Sequence, residues 1–146
     1  MVSADLKTIL LDALDDERKA KATYSAVIEK FGEIRPFINI VGAEGRHADA
    51  IKRQLTRLGW AIPEDRWKGK VRAPTSLAAA CEEAIAAEIE NIALYDRLIP
   101  LVSDDAARTV LQNLQAASRE KHLPAFKRCL DRQGEGGPRH PGGCRG

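Results

Sequence analysis

Residues 44–55 read EGRHADAIKRQL and place a glutamate and a histidine three residues apart in an otherwise regular amphipathic helix. The apolar residues around them recur at three- and four-residue steps, which indicates that they share one helix face. Glu44 and His47 fall on that same face, where apolar side chains are expected. Because a buried polar group without a partner is costly, the pair indicates a site inside the core.

The same periodicity predicts four helices, which cover about residues 3–32, 36–59, 76–100 and 103–132. Short connections near residues 32–35 and 100–103 join them into two antiparallel hairpins. Residues 59–74 could span about 50 Å when extended, against about 30 Å for a twenty-residue helix. We therefore expect an all-α four-helix bundle, with this long crossover returning the chain along the bundle. A Gly/Pro-rich stretch at 133–146 predicts a flexible tail and leaves residues 1–132 as the bundle domain.

Each predicted helix carries polar residues near its middle, on the face that is otherwise apolar. The five candidates are Glu17, Glu44, His47, Glu88 and His122. The two halves of the chain also repeat, because HADAIKRQL at 47–55 shares H-x-x-A-x-K-R-x-L with HLPAFKRCL at 122–130. Tyr24 follows the first glutamate at the same distance as Tyr95 follows the third. These repeats indicate a duplicated helical hairpin.

One inward glutamate on the first helix of each hairpin and Glu-x-x-His on the second is the ligand pattern of dinuclear carboxylate sites. Residues three apart share a helix face, so Glu44 and His47 can approach one metal ion together. Carboxylates can bridge two ions, and imidazole completes a ligand set suited to iron, manganese or zinc. Tyr24 and Tyr95 are either hydrogen-bond donors to these carboxylates or core residues.

Three segments give the chain a resemblance to a known family, namely ERKAKATY at 17–24, EGRHADA at 44–50 and EIENIALY at 88–95. Over about residues 5–132 the chain resembles the ferritin-like superfamily, particularly rubrerythrin-like proteins without a rubredoxin domain. The resemblance implies a ferritin-like bundle, with metal ligands at the five positions above. It also implies iron oxidation, peroxide reduction or dioxygen activation. A separate electron donor is expected, because the chain has no CxxC pair for a rubredoxin iron.

One expected ligand is absent, because the family pattern places a glutamate three residues before the second histidine, where this chain has Arg119. The three candidate glutamates and Arg119 leave a charge of −2, which balances one divalent ion rather than two. We therefore expect one or two ions with an asymmetric site, or no ion and Arg119 paired with the glutamates. Pro124 is expected to kink the fourth helix beside the site.

The composition restricts the function classes. A net charge of +2, from 23 basic and 21 acidic residues that are well interspersed, gives no indication of nucleic-acid or membrane binding. The sequence contains no apolar run of signal-peptide or membrane-span length, and its three cysteines lack CxxC spacing. We therefore expect a cytoplasmic protein, and a homodimer as its assembly.

Two function hypotheses follow. The first is a redox-active iron or manganese protein, an oxidase or peroxidase of the rubrerythrin kind, whose oxidant enters past Gly42 and Gly45. The second is a non-catalytic bundle with a degenerate single-metal or metal-free site, which serves in metal binding or protein interaction. The arginine at position 119 favours the second hypothesis.

Overall fold

The computed structural model describes residues 2–136, and every regular element in this range is helical. The α-helices are α1 (Val2–Phe31), α2 (Phe37–Arg57), α3 (Leu77–Leu98), α4 (Asp105–Ala117) and α5 (Leu123–Gly136). A 3₁₀ turn at Ile99–Leu101 follows α3, and a π-helical turn at Ser118–His122 joins α4 directly to α5. Since α4, the π turn and α5 form one continuous helix, the predicted all-α four-helix bundle is confirmed.

Side-chain caps fix where the third and fourth helices of the bundle begin. Ser76 accepts a hydrogen bond from the backbone N–H of Ala79 at 3.0 Å, where the third helix was expected to start. The fourth helix is capped by Asp104, the residue after the expected boundary at 103, because its carboxylate accepts the N–H of Ala107 at 2.9 Å. A cap of this kind typically stabilises a helix by about 1 kcal/mol.

The core consists of two apolar clusters, one towards each end of the bundle. The first joins the N-terminal half of α1 and the C-terminal half of α2 to the end of α3 and to α4. Its fully buried members include Leu10, Leu55, Tyr95 and Leu111. The second joins the C-terminal half of α1 to the starts of α2 and α3 and to α5. Its fully buried members include Tyr24, Phe37, Cys81 and Phe126.

The direction of each helix follows from the two clusters. Both α2 and α3 start in the second cluster and end in the first, so they run in the same direction. The connection between them, residues 58–76, must therefore travel the length of the bundle. This is the predicted long crossover between two helical hairpins, and it is confirmed.

The crossover is attached to α1 near its middle. The Arg66 guanidinium donates two hydrogen bonds to the Asp15 carboxylate, each 2.8 Å long, and the Trp67 indole N–H donates to the same carboxylate at 2.9 Å. The hydrogen bond from Arg66 is the main reason why the pKa of Asp15 lies below its usual value. These contacts hold the connection along the bundle beside the helix that carries Glu17.

The fourth helix changes its winding at the level of the polar residues. Pro124 has no N–H and cannot donate to the carbonyl of Glu120. The N–H of Leu123 donates instead to the carbonyl of Ser118, five residues back, which is π-helical spacing. The wider turn places Ser118 and His122, four residues apart, together in the core. The disturbance expected at Pro124 therefore takes the form of a π turn.

None of the helices described over residues 2–136 has the length and apolar content to cross a membrane. The last helix, α5, continues to Gly136 and so passes the domain boundary expected at 132. The rest of the expected tail, residues 137–146, lies outside the described residues, and its flexibility stays a prediction.

Candidate metal centre

A polar cluster lies between the two apolar clusters, where the four helices of the bundle meet. It contains all five residues that the helix periodicity singled out, contributed by α1, α2, α3 and the π turn. They are Glu17, Glu44, His47, Glu88 and His122, and none has more than 8% of its surface exposed. The polar interruptions of the four helix stripes therefore meet at one level of the core.

The first half of this cluster is a triad formed by Glu17, Glu44 and His47. One ligand atom from each residue lies within 4.8 Å of the others. The Nδ1 atom of His47 lies 3.2 Å from Oε1 of Glu17 and 3.3 Å from Oε1 of Glu44. Two carboxylates and an imidazole around one point form a donor set that suits a divalent transition-metal ion.

The second half is a triad formed by Glu44, Glu88 and His122, again with ligand atoms within 4.8 Å of one another. The Nδ1 atom of His122 lies 3.6 Å from Oε2 of Glu44 and 3.5 Å from Oε1 of Glu88. Glu44 thus belongs to both triads and turns one oxygen towards each histidine. The rings of His47 and His122 stack with centroids 5.4 Å apart. The arrangement is that of two adjacent sites with one shared carboxylate.

Two buried tyrosines hold the outer glutamates in a crosswise pattern. The hydroxyl of Tyr95, on α3, donates to Oε2 of Glu17 on α1 at 2.6 Å. The hydroxyl of Tyr24, on α1, donates to Oε2 of Glu88 on α3 at 2.7 Å. Each tyrosine therefore fixes the carboxylate of the opposite hairpin, which orients a potential ligand in the way that outer hydrogen bonds do at metal sites.

Two further polar residues were missed by the sequence reasoning. The Asn91 side-chain amide donates to Asp16 at 2.6 Å and to Oε2 of Glu17 at 3.3 Å. The Ser118 hydroxyl donates to Oδ1 of the Asn91 side chain at 3.0 Å. Asn91 lies three residues after Glu88, and this spacing could have revealed it. Ser118 lies seven residues after Leu111, on the buried face of the same helix.

Three buried atoms of the cluster have no hydrogen-bond partner among the described residues. They are Oε1 of Glu44, Oε1 of Glu88 and Nδ1 of His122. The Nδ1 atom of His122 lies 3.5 Å from Oε1 of Glu88 and 3.6 Å from Oε2 of Glu44, which brings opposite charges together without hydrogen-bond geometry. A buried polar atom left in this state typically costs about 1–3 kcal/mol. Two of the three atoms belong to the second triad, and Oε1 of the shared Glu44 faces His47 in the first, so the residues of both triads fit a bound metal ion.

The charges of the cluster keep protons on it when no metal is bound. Burial and the negative charge of Glu44 raise the pKa of Glu17 to about 7. Burial opposes the charged form of His47, yet the nearby carboxylates of Glu17 and Glu44 outweigh this and raise its pKa to about 10. Glu44 and Glu88 likewise raise the pKa of His122 to about 9 against the effect of burial. A metal ion would therefore have to displace protons from both histidines.

Arg119 does not lie beside the glutamates, although it was expected to balance part of their charge. Its side chain is exposed, and no contact between it and the glutamates is found within residues 6–133. Ser118, and not Arg119, is the buried residue that precedes His122 in the helix. The expected pairing of Arg119 with the glutamates is therefore wrong. The centre carries three carboxylates and no arginine. It therefore does not have the net charge of −2 that favoured a single ion.

The expected entrance past Gly42 and Gly45 is not found. A methyl group at Gly45 would lie 3.6 Å from the Lys21 side chain, and one at Gly42 would face Arg46. Neither glycine thus opens towards the cluster. A cavity reaches the cluster instead at His122, which forms part of its wall.

The fold and the site define a class of protein, an all-α four-helix bundle whose core holds glutamate and histidine groups that could bind metal ions. Within that class, the chain belongs to the family described as uncharacterized protein domain DUF2202, whose model matches residues 6–138. Its fold is similar to that of the hypothetical protein MJ0754 from Methanococcus jannaschii, with a TM-score of 0.79 and 24% identity. That match covers 88% of this chain and 81% of the other, and it supports the fold alone. No curated protein matches the chain.

Proposed function

We propose that the cluster binds two divalent metal ions and that the protein is a ferritin-like oxidoreductase of the rubrerythrin kind. The observation that carries the proposal is the position of Glu44, which faces both histidines and belongs to both triads. Glu17 and His47 would complete the ligands of one ion, and Glu88 and His122 those of the other. Glu44 would bridge them.

Iron is the metal that we favour, with manganese and zinc as alternatives. A set of three carboxylates and two imidazoles mixes the ligand types that these ions accept. Bound iron would supply one-electron chemistry towards dioxygen or peroxide. Reduction of one peroxide to two water molecules consumes two electrons and two protons, so a pair of ions that each give one electron matches the demand. A separate protein would then have to return the electrons.

The surrounding side chains prepare the site for such a role. Tyr24 and Tyr95 hold the outer carboxylates in place, and both hydroxyl groups are buried beside them. Apolar clusters lie above and below the centre. Ligands fixed by outer hydrogen bonds need little rearrangement when a metal ion binds.

A second candidate function is supported by position 119, where the expected fourth carboxylate is replaced by an exposed arginine. With one carboxylate fewer, the cluster would hold a single ion, or two with unequal affinity. The protein would then be a non-catalytic metal-binding or interaction bundle. This candidate differs from the first in both metal number and reactivity.

An anaerobic Fe(II) titration followed by one equivalent of hydrogen peroxide separates the two candidates. The oxidoreductase proposal predicts two Fe(II) per chain, both oxidised by one peroxide, with a new absorbance band in the near ultraviolet. The Glu44→Gln variant serves as the control for iron oxidised in solution. One bound ion that does not react faster than in this variant would overturn the proposal and leave the non-catalytic candidate.

A further inference from the structure

A cavity of about 400 Å³ opens beside the π turn, between the start of α2 and α5. This volume lies within the usual range of small-molecule sites. Its charged lining consists of Arg35, Lys121, Arg128 and Arg132, with no acidic residue, and His122 forms part of its wall. The cavity therefore places four positively charged side chains beside the second triad.

The four cations of this cavity have no acidic partner within residues 6–133. Three other arginines do pair with aspartates, namely Arg57, Arg66 and Arg108. Within residues 6–133, no ion pair involves a cation of the cavity. The helix α2 also begins here with no acidic residue in its first turn, so the positive end of its dipole adds to the field. Its first N–H groups donate to the backbone carbonyls of Ile34 and Pro36.

His122 links the cavity to the metal centre. This residue is 4% exposed and forms part of the cavity wall, while its Nδ1 atom lies 3.6 Å from Glu44 and 3.5 Å from Glu88. Position 119, where a fourth carboxylate was expected, holds an exposed arginine. Two divalent ions would exceed the charge of three carboxylates by one unit. An anion from outside would supply the missing negative charge on the side where the cavity opens.

We propose that this cavity binds a small molecule carrying phosphate or carboxylate groups, next to the second triad. Arg35, Arg128 and Arg132 have the planar guanidinium that matches two oxygens of such a group, and Lys121 adds a fourth positive charge. The occupant is then an anionic substrate or ligand of the metal centre. That last role rests on the proposed function, whereas binding of the anion to the cavity does not.

Calorimetric titration of the metal-free protein with pyrophosphate, and separately with citrate, tests the proposal at constant ionic strength. The Arg35→Ala/Arg128→Ala variant removes two cations of the cavity. The matched control, Arg53→Ala/Arg97→Ala, removes the same charge from exposed arginines that do not line it. We expect one anion per chain, with an affinity that falls by about tenfold or more in the first variant and changes little in the control.

Equal losses in both variants, or no binding of either anion, would overturn the proposal. Tighter binding of pyrophosphate would identify phosphate as the recognised group, and tighter binding of citrate would identify carboxylate. A crystal soaked with the tighter anion should show it in the cavity against His122, and density only elsewhere would overturn the assigned position.

Metal binding is measured separately, by Mn(II) titration of the same proteins without any anion. If the wild-type chain binds Mn(II) but neither anion, the cavity proposal fails while the metal site stands. If it binds an anion but no metal ion, the proposed function fails while the anion site stands. The two failures are thus distinguishable.

Discussion

The first triad of the cluster is held by the protein's own hydrogen bonds. The Glu17 carboxylate accepts from the Tyr95 hydroxyl at 2.6 Å and, more weakly, from the Asn91 amide at 3.3 Å. Its other oxygen lies 3.2 Å from the ring of His47, with which it forms a hydrogen bond. Each atom that faces the centre from these two residues therefore has a partner before any metal ion binds.

The second triad differs in this respect. The Glu88 carboxylate accepts from the Tyr24 hydroxyl through one oxygen, while its other oxygen and Nδ1 of His122 have no hydrogen-bond partner within residues 6–133. This triad also lies at the π turn and at the basic cavity. The two halves come from repeated sequence, but only in the second do the outer glutamate and the histidine each leave an atom without a hydrogen bond.

This difference between the triads indicates which of them should bind a metal ion more readily. An ion at the second triad breaks fewer hydrogen bonds, because Nδ1 of His122 and Oε1 of Glu88 have no partner to lose. We therefore expect the second triad to fill first.

The largest effect is expected from Glu44→Gln, because this residue is shared by both triads. Loss of its charge should lower the affinity for both ions by more than about 100-fold. That figure is the upper end of the losses caused by changes to residues that only hydrogen-bond to metal ligands. Metal analysis after dialysis against a chelator measures this. The control is Glu120→Gln, which neutralises an exposed glutamate beside the site. One ion retained at wild-type affinity would show that the carboxylate is not shared.

Single histidine variants test the order of filling. His122→Ala should remove the tighter ion and leave the weaker one, whereas His47→Ala should do the reverse. The physical reason is that each histidine belongs to one triad only. Calorimetric titration of Mn(II) into each variant gives the remaining affinity. The opposite order would mean that the open atoms of the second triad do not favour metal binding.

The pH dependence of the metal-free protein tests the charges of the cluster. Both histidines have a folded-state pKa above the ordinary value of 6.5, so their contribution to stability is full below that pH. It is lost as the pH rises through 9 and 10. The free energy of unfolding by urea, with chelator present, should therefore fall between about pH 7 and about pH 9.5. A His47→Gln/His122→Gln variant with the same slope would contradict the assignment.

Removal of either tyrosine hydroxyl should change metal affinity by a smaller amount, and the two changes should differ. Tyr24→Phe removes the hydroxyl that holds Glu88, whereas after Tyr95→Phe the Glu17 carboxylate keeps its contact with Asn91. We expect metal affinity to fall by about 10- to 100-fold at the second triad in the first variant, and by less at the first triad in the other. Chelator competition measures both. Equal losses would remove this distinction between the triads.

The smallest effect is expected from Arg119→Ala. Its side chain is exposed and away from the glutamates, so the free energy of unfolding should change by less than about 0.5 kcal/mol. Metal affinity should not change. A clear gain or loss in either quantity would show that this arginine reaches the site after all.

Much of the fold and the central part of the site could be predicted because they depend on local repeats. The three- and four-residue periodicity fixes which side of each helix is buried. A polar residue on that side, such as Glu44 or His47, then has to meet the polar residues of the other helices. The repeat of Glu-to-Tyr spacing in the two hairpins pointed to Tyr24 and Tyr95 for the same reason.

The rest depends on features that α-helical spacing does not contain. One such feature is the π turn at Ser118–His122, which lies where the family pattern places Glu-x-x-His. Pro124 was the only local sign of it. The basic cavity brings Arg35 on the first hairpin together with Arg128 on the second, and only tertiary packing places them side by side. The identity of the metal, the homodimer and the cytoplasmic location stay predictions.

The central claim is that one carboxylate, Glu44, joins two metal sites. An Mn(II) titration followed by electron paramagnetic resonance tests it most directly. The account predicts a six-line spectrum of isolated ions up to one equivalent, which gives way to a spin-coupled spectrum as the second equivalent binds. Saturation at one ion per chain, or two ions that keep independent six-line spectra, would contradict it.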